Sequence, residues 1–315
     1  MIRLIRYSPE MAPEWDRFVT ETATNATFLH LRGYMDYHSD RFADCSLMAY
    51  DEKERLMGVL PANIEGTVLW THHGLTYGGW LTANRHFSSS AMLELWDRFV
   101  AWMRSVGLTE LIYKAVPHIF QRYPSDDDLY ALFRLGAVQK EAIVSSALPL
   151  DRPVLMNSAS RWRASRARRK GIVIGRDDDY EGFMAMLAHR LDERYGATPV
   201  HTLAEIRLLS SRFPDNIRLI TARTPEGELL AGTVVYVTDT VTHTQYIATT
   251  AEGRRLGVFA AIVDYLIEHE CAGRQWLDFG GSCEDGGRVL NDGLNAQKYG
   301  YGGRPLLYQT LRLTL

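Results

Sequence analysis

The stretch Asp278-Phe-Gly-Gly-Ser-Cys-Glu284 follows a short apolar run, Trp276–Gly280, and sets two carboxylates in a glycine-rich loop. A carboxylate at a strand end is well placed to strip the proton from an ammonium group, and such a loop can supply donors for an oxyanion. That is the equipment of acyl transfer to an amine, with Asp278 and Glu284 as candidate bases. The alternative is that Asp278 caps a turn and Glu284 is simply solvated. Tyr246, inside a predicted strand, is either a proton donor to a leaving group or a packing residue. His201 and His243 are further acid–base groups. The loop is not a Gly-x-Ser-x-Gly nucleophile elbow, because Glu284 stands at the final glycine position, and Cys283 has no motif partner.

A second chemical stretch runs from Ala251 to Ala260. Gly253 and Gly257 permit close backbone approach, and Arg254 and Arg255 can add charge-assisted bonds at a helix start leading through Val258. Unpaired N–H groups and the helix dipole make such a start a binding site for a pyrophosphate. The alternative is an ordinary solvated helix start. The matching N-terminal stretch, Gly74 to Ser90, has glycines and Arg85 but no Arg-x-x-Gly. A third stretch holds Arg161, Arg163, Arg166, Arg168, Arg169 and Lys170 with Trp162. It suits either phosphate contacts or a solvated helix face balancing Asp177, Asp178 and Asp179. No metal site is expected: His72 and His73, adjacent on a predicted strand, would point to opposite faces, and no zinc-type spacing occurs.

These residues need elements to hold them. In the first half, helices are expected around Pro13–Thr22 and Arg32–Phe42. A meander of Cys45–Tyr50, Leu56–Ile64 and Thr67–His73 follows. Met92, Leu95, Trp96, Phe99 and Trp102 then form a helical stripe closed by Gly107, before a buried strand Leu111–Val116 and a helix Asp126–Leu135. The second half repeats the order. A helix ends at Tyr195-Gly196, and Thr202 and Glu205 form a capping box. Strands Ile217–Arg223, Leu229–Thr238 and Val241–Thr250 lead to a helix bearing Phe259, Ile262, Val263 and Leu266, then the strand Trp276–Gly280 and a helix Val289–Gly300 carrying Lys298. Both halves place a charged turn before a strand beginning Leu-x-Gly, at Gly58 and Gly232. The period suits a duplicated α/β domain, with residues 1–152 and 153–315 as the two copies and LPLDRP at the boundary.

Composition is that of a globular protein, 46% hydrophobic and 23% charged, and a net charge of −3 implies no general attraction to nucleic acid or anionic membrane. Three widely spaced cysteines fit no disulfide framework, and the opening residues have no signal-type apolar region, so a cytoplasmic protein is expected.

The order of three meander strands, a helix and a further strand resembles the GNAT N-acyltransferases. The doubling resembles their FemA/FemB/FemX-like, double-GNAT branch. The segments TFLHLRGYMDYH, KAVPHIF with YPSDDDLYALFRLGA, SRWRASRARRKGIVI and GLNAQKYGYGG carry that likeness. Two departures stand out: Phe259 replaces the second small residue of the cofactor loop, and Gln297 replaces an aromatic in the closing signature, which keeps Lys298. The resemblance implies two tandem α/β (α+β) domains, each with a mixed, mostly antiparallel sheet flanked by helices. It further implies acetyl-CoA as cosubstrate in the C-terminal domain alone, a small-molecule amine (amino sugar or amino acid) as acceptor, and Lys298 beside the reacting carbonyl. Charged tRNA as donor, with a cell-wall precursor as acceptor, is the alternative and the one reading that involves nucleic acid. A scaffold that has lost its chemistry is the other, and Phe259 favours it. No membrane or metal enters any of these readings, and oligomeric state has no signature.

Overall fold

The computed structural model describes residues 2–315, apart from the side chain of Tyr195, and divides into two compact units. The first comprises residues up to Ile143 with Cys283–Val289 and Leu307–Leu315; the second comprises Val144–Ser282 with Leu290–Leu306. A division at 152/153 would leave those two C-terminal segments in the second domain, whereas in the structure they pack with the first. No helix among the described residues is long and apolar enough to cross a membrane.

In the first unit, strands β1 (Arg3–Arg6), β2 (Leu47–Tyr50) and β3 (Leu56–Leu60) pair antiparallel. The strand expected over Leu56–Ile64 is broken after Leu60, because Pro61 has no N–H for the ladder. The chain resumes as β4 (Asn63–Glu65) and turns through Gly66, at φ +60°, into β5 (Val68–Trp70). Helix α1 (Ser89–Ser105) buries Met92, Leu95, Trp96, Phe99 and Met103, and Ser88 caps it by accepting from the Ala91 N–H. Strand β6 (Glu110–Lys114) lies parallel to β5, and α2 (Asp127–Arg134) follows. His72 and His73 fall beyond the end of β5, in a turn where His72 takes φ +62°, rather than on a strand.

Strand β7 (Val138–Pro149) leads into the second unit, where Asn157 caps α3 (Ser158–Arg169). Strand β8 (Val173–Asp177) and helices α4 (Tyr180–Tyr195) and α5 (Leu203–Arg212) come next; Gly196 closes α4 in the left-handed conformation. The capping box of Thr202 and Glu205 starts α5. Strands β9 (Ile217–Arg223), β10 (Leu229–Val237) and β11 (Val241–Thr249) form the meander with β8, all antiparallel. Helices α6 (Ala251–Leu256) and α7 (Val258–Tyr265), split at Gly257, lead to β12 (Trp276–Gly281), α8 (Asp292–Gly300) and β13 (Arg304–Thr314). The end of β13, Thr310–Thr314, belongs to the first unit and pairs antiparallel with β6.

One face of the second unit's sheet, Ala231, Val235 and Val237, packs in one core with Val258, Ile262 and Val263 of α7. The opposite face belongs to α4: a Cβ on Gly232 would lie 2.8 Å from the Phe183 ring. The acidic run after α3 does not balance the arginines of α3. Asp177 and Asp179 bond Arg223 at 2.9 and 2.7 Å, while Arg168 reaches Asp264 at 2.8 Å.

The first unit holds a carboxyl deep in its interior, Asp128. Asp128 accepts from Tyr113 Oη at 2.6 Å and from the Leu129 N–H at 2.7 Å, and burial pushes its pKa up from 3.8 to about 6. A carboxyl with a raised folded pKa lends stability fully present below pH ~4 and lost as pH rises through ~6. Over that window the wild type should lose on the order of 3 kcal/mol, from about two pKa units at 1.36 kcal/mol each. Urea titrations of Asp128→Asn should show no such slope; an unchanged slope would assign it to other groups.

Candidate active site

The parallel ladder between β11 and β12 is three residues long: Val241 opposite Trp276, Thr242 opposite Leu277, and His243 opposite Asp278. Beyond that pair the two strands run on without pairing, to Thr249 and Gly281. The last rung therefore sits at the apex of a splay. Asp278 has no solvent exposure, and its carboxylate accepts from Ser145 Oγ on β7 at 2.8 Å and bonds His243 Nδ1 at 2.6 Å. A carboxylate holding Nδ1–H leaves Nε2 as the basic nitrogen of the neutral ring. Gly280, at φ +72°, keeps the strand end clear of that ring: a Cβ there would come 3.3 Å from His243 Cε1.

A bulge puts a second acid–base group on the same face. His243 pairs Tyr236 and Tyr246 pairs Val234, so the register skips Gln245. Tyr236 and Val234 share a face of β10, and so do their partners on β11; without the bulge, residues three apart would point opposite ways. Tyr246 Oη lies 2.5 Å from His201 Nδ1 and accepts from the His201 N–H at 3.3 Å. Burial raises its pKa to about 12, which keeps the phenol protonated at neutral pH.

Lys298 is not on a solvated face. Only 4% exposed, it donates through Nζ to the carbonyls of Gly280 and Gly281 at 2.8 and 2.6 Å. Its helix starts at Asp292, capped by Asn291, because Val289–Leu290 form a short strand. The structure thus gathers Asp278, Lys298 and Tyr246 on or against the β11–β12 strands. Glu284 is an exposed residue of the short strand Cys283–Glu284 and belongs to the first unit. Sequence reasoning gave His243 little weight and passed over Ser145, since both join Asp278 through long-range register alone.

The candidate pyrophosphate stretch follows β11 directly. Thr250 caps α6 by accepting from the Gly253 N–H at 3.0 Å. Gly253 is buried and has a packing reason: a Cβ would lie 2.3 Å from the Leu230 carbonyl oxygen. Arg254 donates to the Thr249 carbonyl at 2.6 Å, and Arg255 pairs with Glu252 on the surface. Gly257, at φ +73°, ends α6 and begins α7, and no side chain caps the first amides of α7, Val258 among them. Phe259 turns into the core, 5.7 Å from the Tyr301 ring, so its bulk lies on the buried side of the helix start.

The first unit has the same rung without the chemistry. Its parallel ladder is also three residues long, Val68–Glu110, Leu69–Leu111 and Trp70–Ile112, so Trp70 and Ile112 stand where His243 and Asp278 do. The chain after Trp70 then folds back along β6. Thr71 N–H donates to Ile112 O, Gly78 N–H to Lys114 O, and Trp80 N–H to Tyr113 Oη, at 2.8–2.9 Å. Gly78 and Gly79 are needed for that approach, since a Cβ on either would lie within 2.5 Å of Thr71 O or the Tyr113 ring.

Residues 157–287 match the family model described as an acetyltransferase (GNAT) domain. FemX superposes with a TM-score of 0.71 at 14% identity, covering 99% of this chain and 97% of its own. The L-PGS from Bacillus licheniformis gives 0.60 at 12% identity, over 97% and 90% of the two chains. A tandem GNAT protein from the clavulanic acid biosynthesis pathway gives 0.53 at 14%, over 100% and 98%. No curated protein matches the sequence. The chain has the double-GNAT, FemX-like fold, and its residues 157–287 carry the likeness to the acetyltransferase (GNAT) domain.

Gly257 cannot be replaced without disturbing the fold, contrary to what its loop position suggests. Its φ is +73°, and a Cβ would meet the Arg163 Cβ at 2.7 Å. Gly257→Val should cost on the order of 2 kcal/mol or more, from backbone strain alone. Thermal unfolding checks this, and an unchanged melting temperature would mean that α3 yields freely at Arg163.

Proposed function

We propose that this chain transfers an acetyl group from acetyl-CoA to the primary amine of a small molecule, an amino sugar or amino acid, using the second unit alone. The observation that carries the reading is the His243–Asp278 pair on the last rung of the splayed strands, where acyl groups enter in GNAT proteins. Asp278 has no exposure and both its oxygens are engaged, so it acts through His243: the carboxylate fixes the ring, and Nε2 takes the ammonium proton. The amine then attacks the thioester carbonyl; as the tetrahedral oxyanion collapses, the C–S bond breaks and the attacking nitrogen sheds its second proton, which restores the phenol of Tyr246 once that group has protonated the thiolate. Tyr246, protonated and held by His201, supplies the proton to the departing thiolate. The buried Lys298 ammonium sets positive charge at the strand end where the oxyanion forms. Glu284 is the alternative base, and its exposure suits it less to that task than the ordered His243 pair. Val258, at the uncapped start of α7, offers its backbone amide to the donor's pyrophosphate, with Gly257 giving close approach and Arg254 and Arg255 nearby.

Aminoacyl transfer from charged tRNA is the second reading, favoured by the FemX-like fold over 99% of the chain and by the basic α3. A thermal-shift panel of acyl-CoA species against charged tRNA separates the two, since a ligand at 100 times its Kd stabilises by about 2.7 kcal/mol.

With an acceptor in hand, His243→Gln should lower kcat about 10²–10⁴-fold. Asp278→Asn should act in the same direction, with CoA affinity kept. Lys298→Met should lower kcat about 10²–10³-fold. Near-wild-type kcat in both His243→Gln and Asp278→Asn would place the base elsewhere.

A further inference from the structure

Helix α3 carries five arginines between Arg161 and Arg169, with Lys170 just past its end, and the acids nearest in sequence lie at Asp151 and Asp177. Several of those charges are already committed. Arg168 pairs with Asp264, Arg169 bonds Ser165 Oγ, and Arg161 bonds the Met156 carbonyl. Arg163 and Arg166 make no ion pair with a carboxylate among the described residues. Both sit where a donor would be. The Arg163 side chain covers Gly257 at the start of α7, with its Cβ, Cγ and Cδ 2.7–3.1 Å from where a Cβ on that glycine would stand. Arg166 donates to the Arg255 carbonyl at 3.5 Å, and its guanidinium lies 5.3 Å from the centre of the Trp162 ring. Trp162 is 56% exposed. An indole left in water beside two guanidinium groups that hold no carboxylate ion pair has the chemistry of a base-stacking platform next to phosphate binders.

We propose that the exposed face of α3 binds the phosphate-bearing adenosine end of the acyl donor. Trp162 stacks on the adenine, while Arg163 and Arg166 hold the phosphate by charge-assisted bonds. Charge complementarity selects this occupant: the face is cationic and aromatic on a chain of net charge −3, and it borders the helix start assigned above to the pyrophosphate. The inference rests on that donor assignment for its position and on α3 itself for its chemistry. Adenosine with phosphate is common to CoA and to the 3′ end of a charged RNA, and the test separates those sources.

Calorimetric titrations of the full chain with CoA, 3′,5′-ADP and 4′-phosphopantetheine provide it. Trp162→Ala should weaken CoA and 3′,5′-ADP about tenfold or more, and Trp162→Phe should restore most of the loss. Arg166→Gln should weaken the same two ligands. Binding of 4′-phosphopantetheine, which lacks the adenosine, should be unchanged in every variant, and so should the melting temperature. If the wild type binds no CoA, the donor reading fails, and a CCA-ended RNA hairpin is titrated in the same variants. A Trp162-dependent affinity there sustains the adenosine site with a charged RNA as donor. Equal affinity in wild type and Trp162→Ala overturns the proposal, as does an equal loss of 4′-phosphopantetheine, or binding of neither CoA nor RNA by the wild type.

Discussion

The chemistry of the second unit depends on where one parallel ladder stops. Three rungs join β11 to β12, and the third aligns His243 with Asp278. One rung fewer would leave no partner for the imidazole, while further rungs would close the gap beyond it. A buried carboxylate is costly unless its lone pairs are engaged, and here Ser145 and His243 engage both oxygens. The ladder is therefore part of what makes Asp278 tolerable in a core: its register brings in His243, and β7 on the other side of β12 brings in Ser145.

The same constraint explains the backbone irregularities around it. After Asp278, β12 slips register against β7, and Gly280 and Gly281 carry the slip. Their carbonyls leave the ladder and would be stranded; the Lys298 ammonium accepts the role of donor to both. A buried ammonium needs acceptors as much as those carbonyls need donors, so each solves the other's problem. On β11 the bulge at Gln245 does parallel work, turning Tyr246 onto the face of His243. Two of this sheet's register shifts thus lie beside the site; a third, at Ala222–Arg223, lies elsewhere.

Much of the second unit was legible from pattern. Long alternating strands, the Thr202–Glu205 box and the Gly196 stop are local signals, and the structure keeps them. The break at Pro61 was legible in principle, since a proline N cannot join a ladder, but the apolar run continues through it. Of the site, Asp278 stood out by type and position, and Lys298 through the resemblance of the closing segment. His243 and Ser145 did not, because they lie 35 and 133 residues from Asp278, and meet it through pairings no local pattern encodes. The reading of Gly253 as an open phosphate-loop glycine shows the converse. A glycine in the right motif position can owe its place to a neighbouring carbonyl, here that of Leu230.

Duplication makes the contrast between the units informative. Each has a three-rung parallel ladder following a meander, so a shared backbone geometry does not by itself produce a site. What differs is the content of the last rung and of the gap beyond it. In the first unit the rung is Trp70 and Ile112, two apolar side chains with no proton to move. The gap beside β6 is taken by its own chain, with Gly78 and Gly79 letting the backbone approach. A strand edge needs something to satisfy its N–H and C=O groups. The first unit supplies that from the segment Thr71–Trp80, which stabilises the fold at the expense of a cleft. In the second unit the β11–β12 ladder stops at His243, and the two strands part beyond that rung.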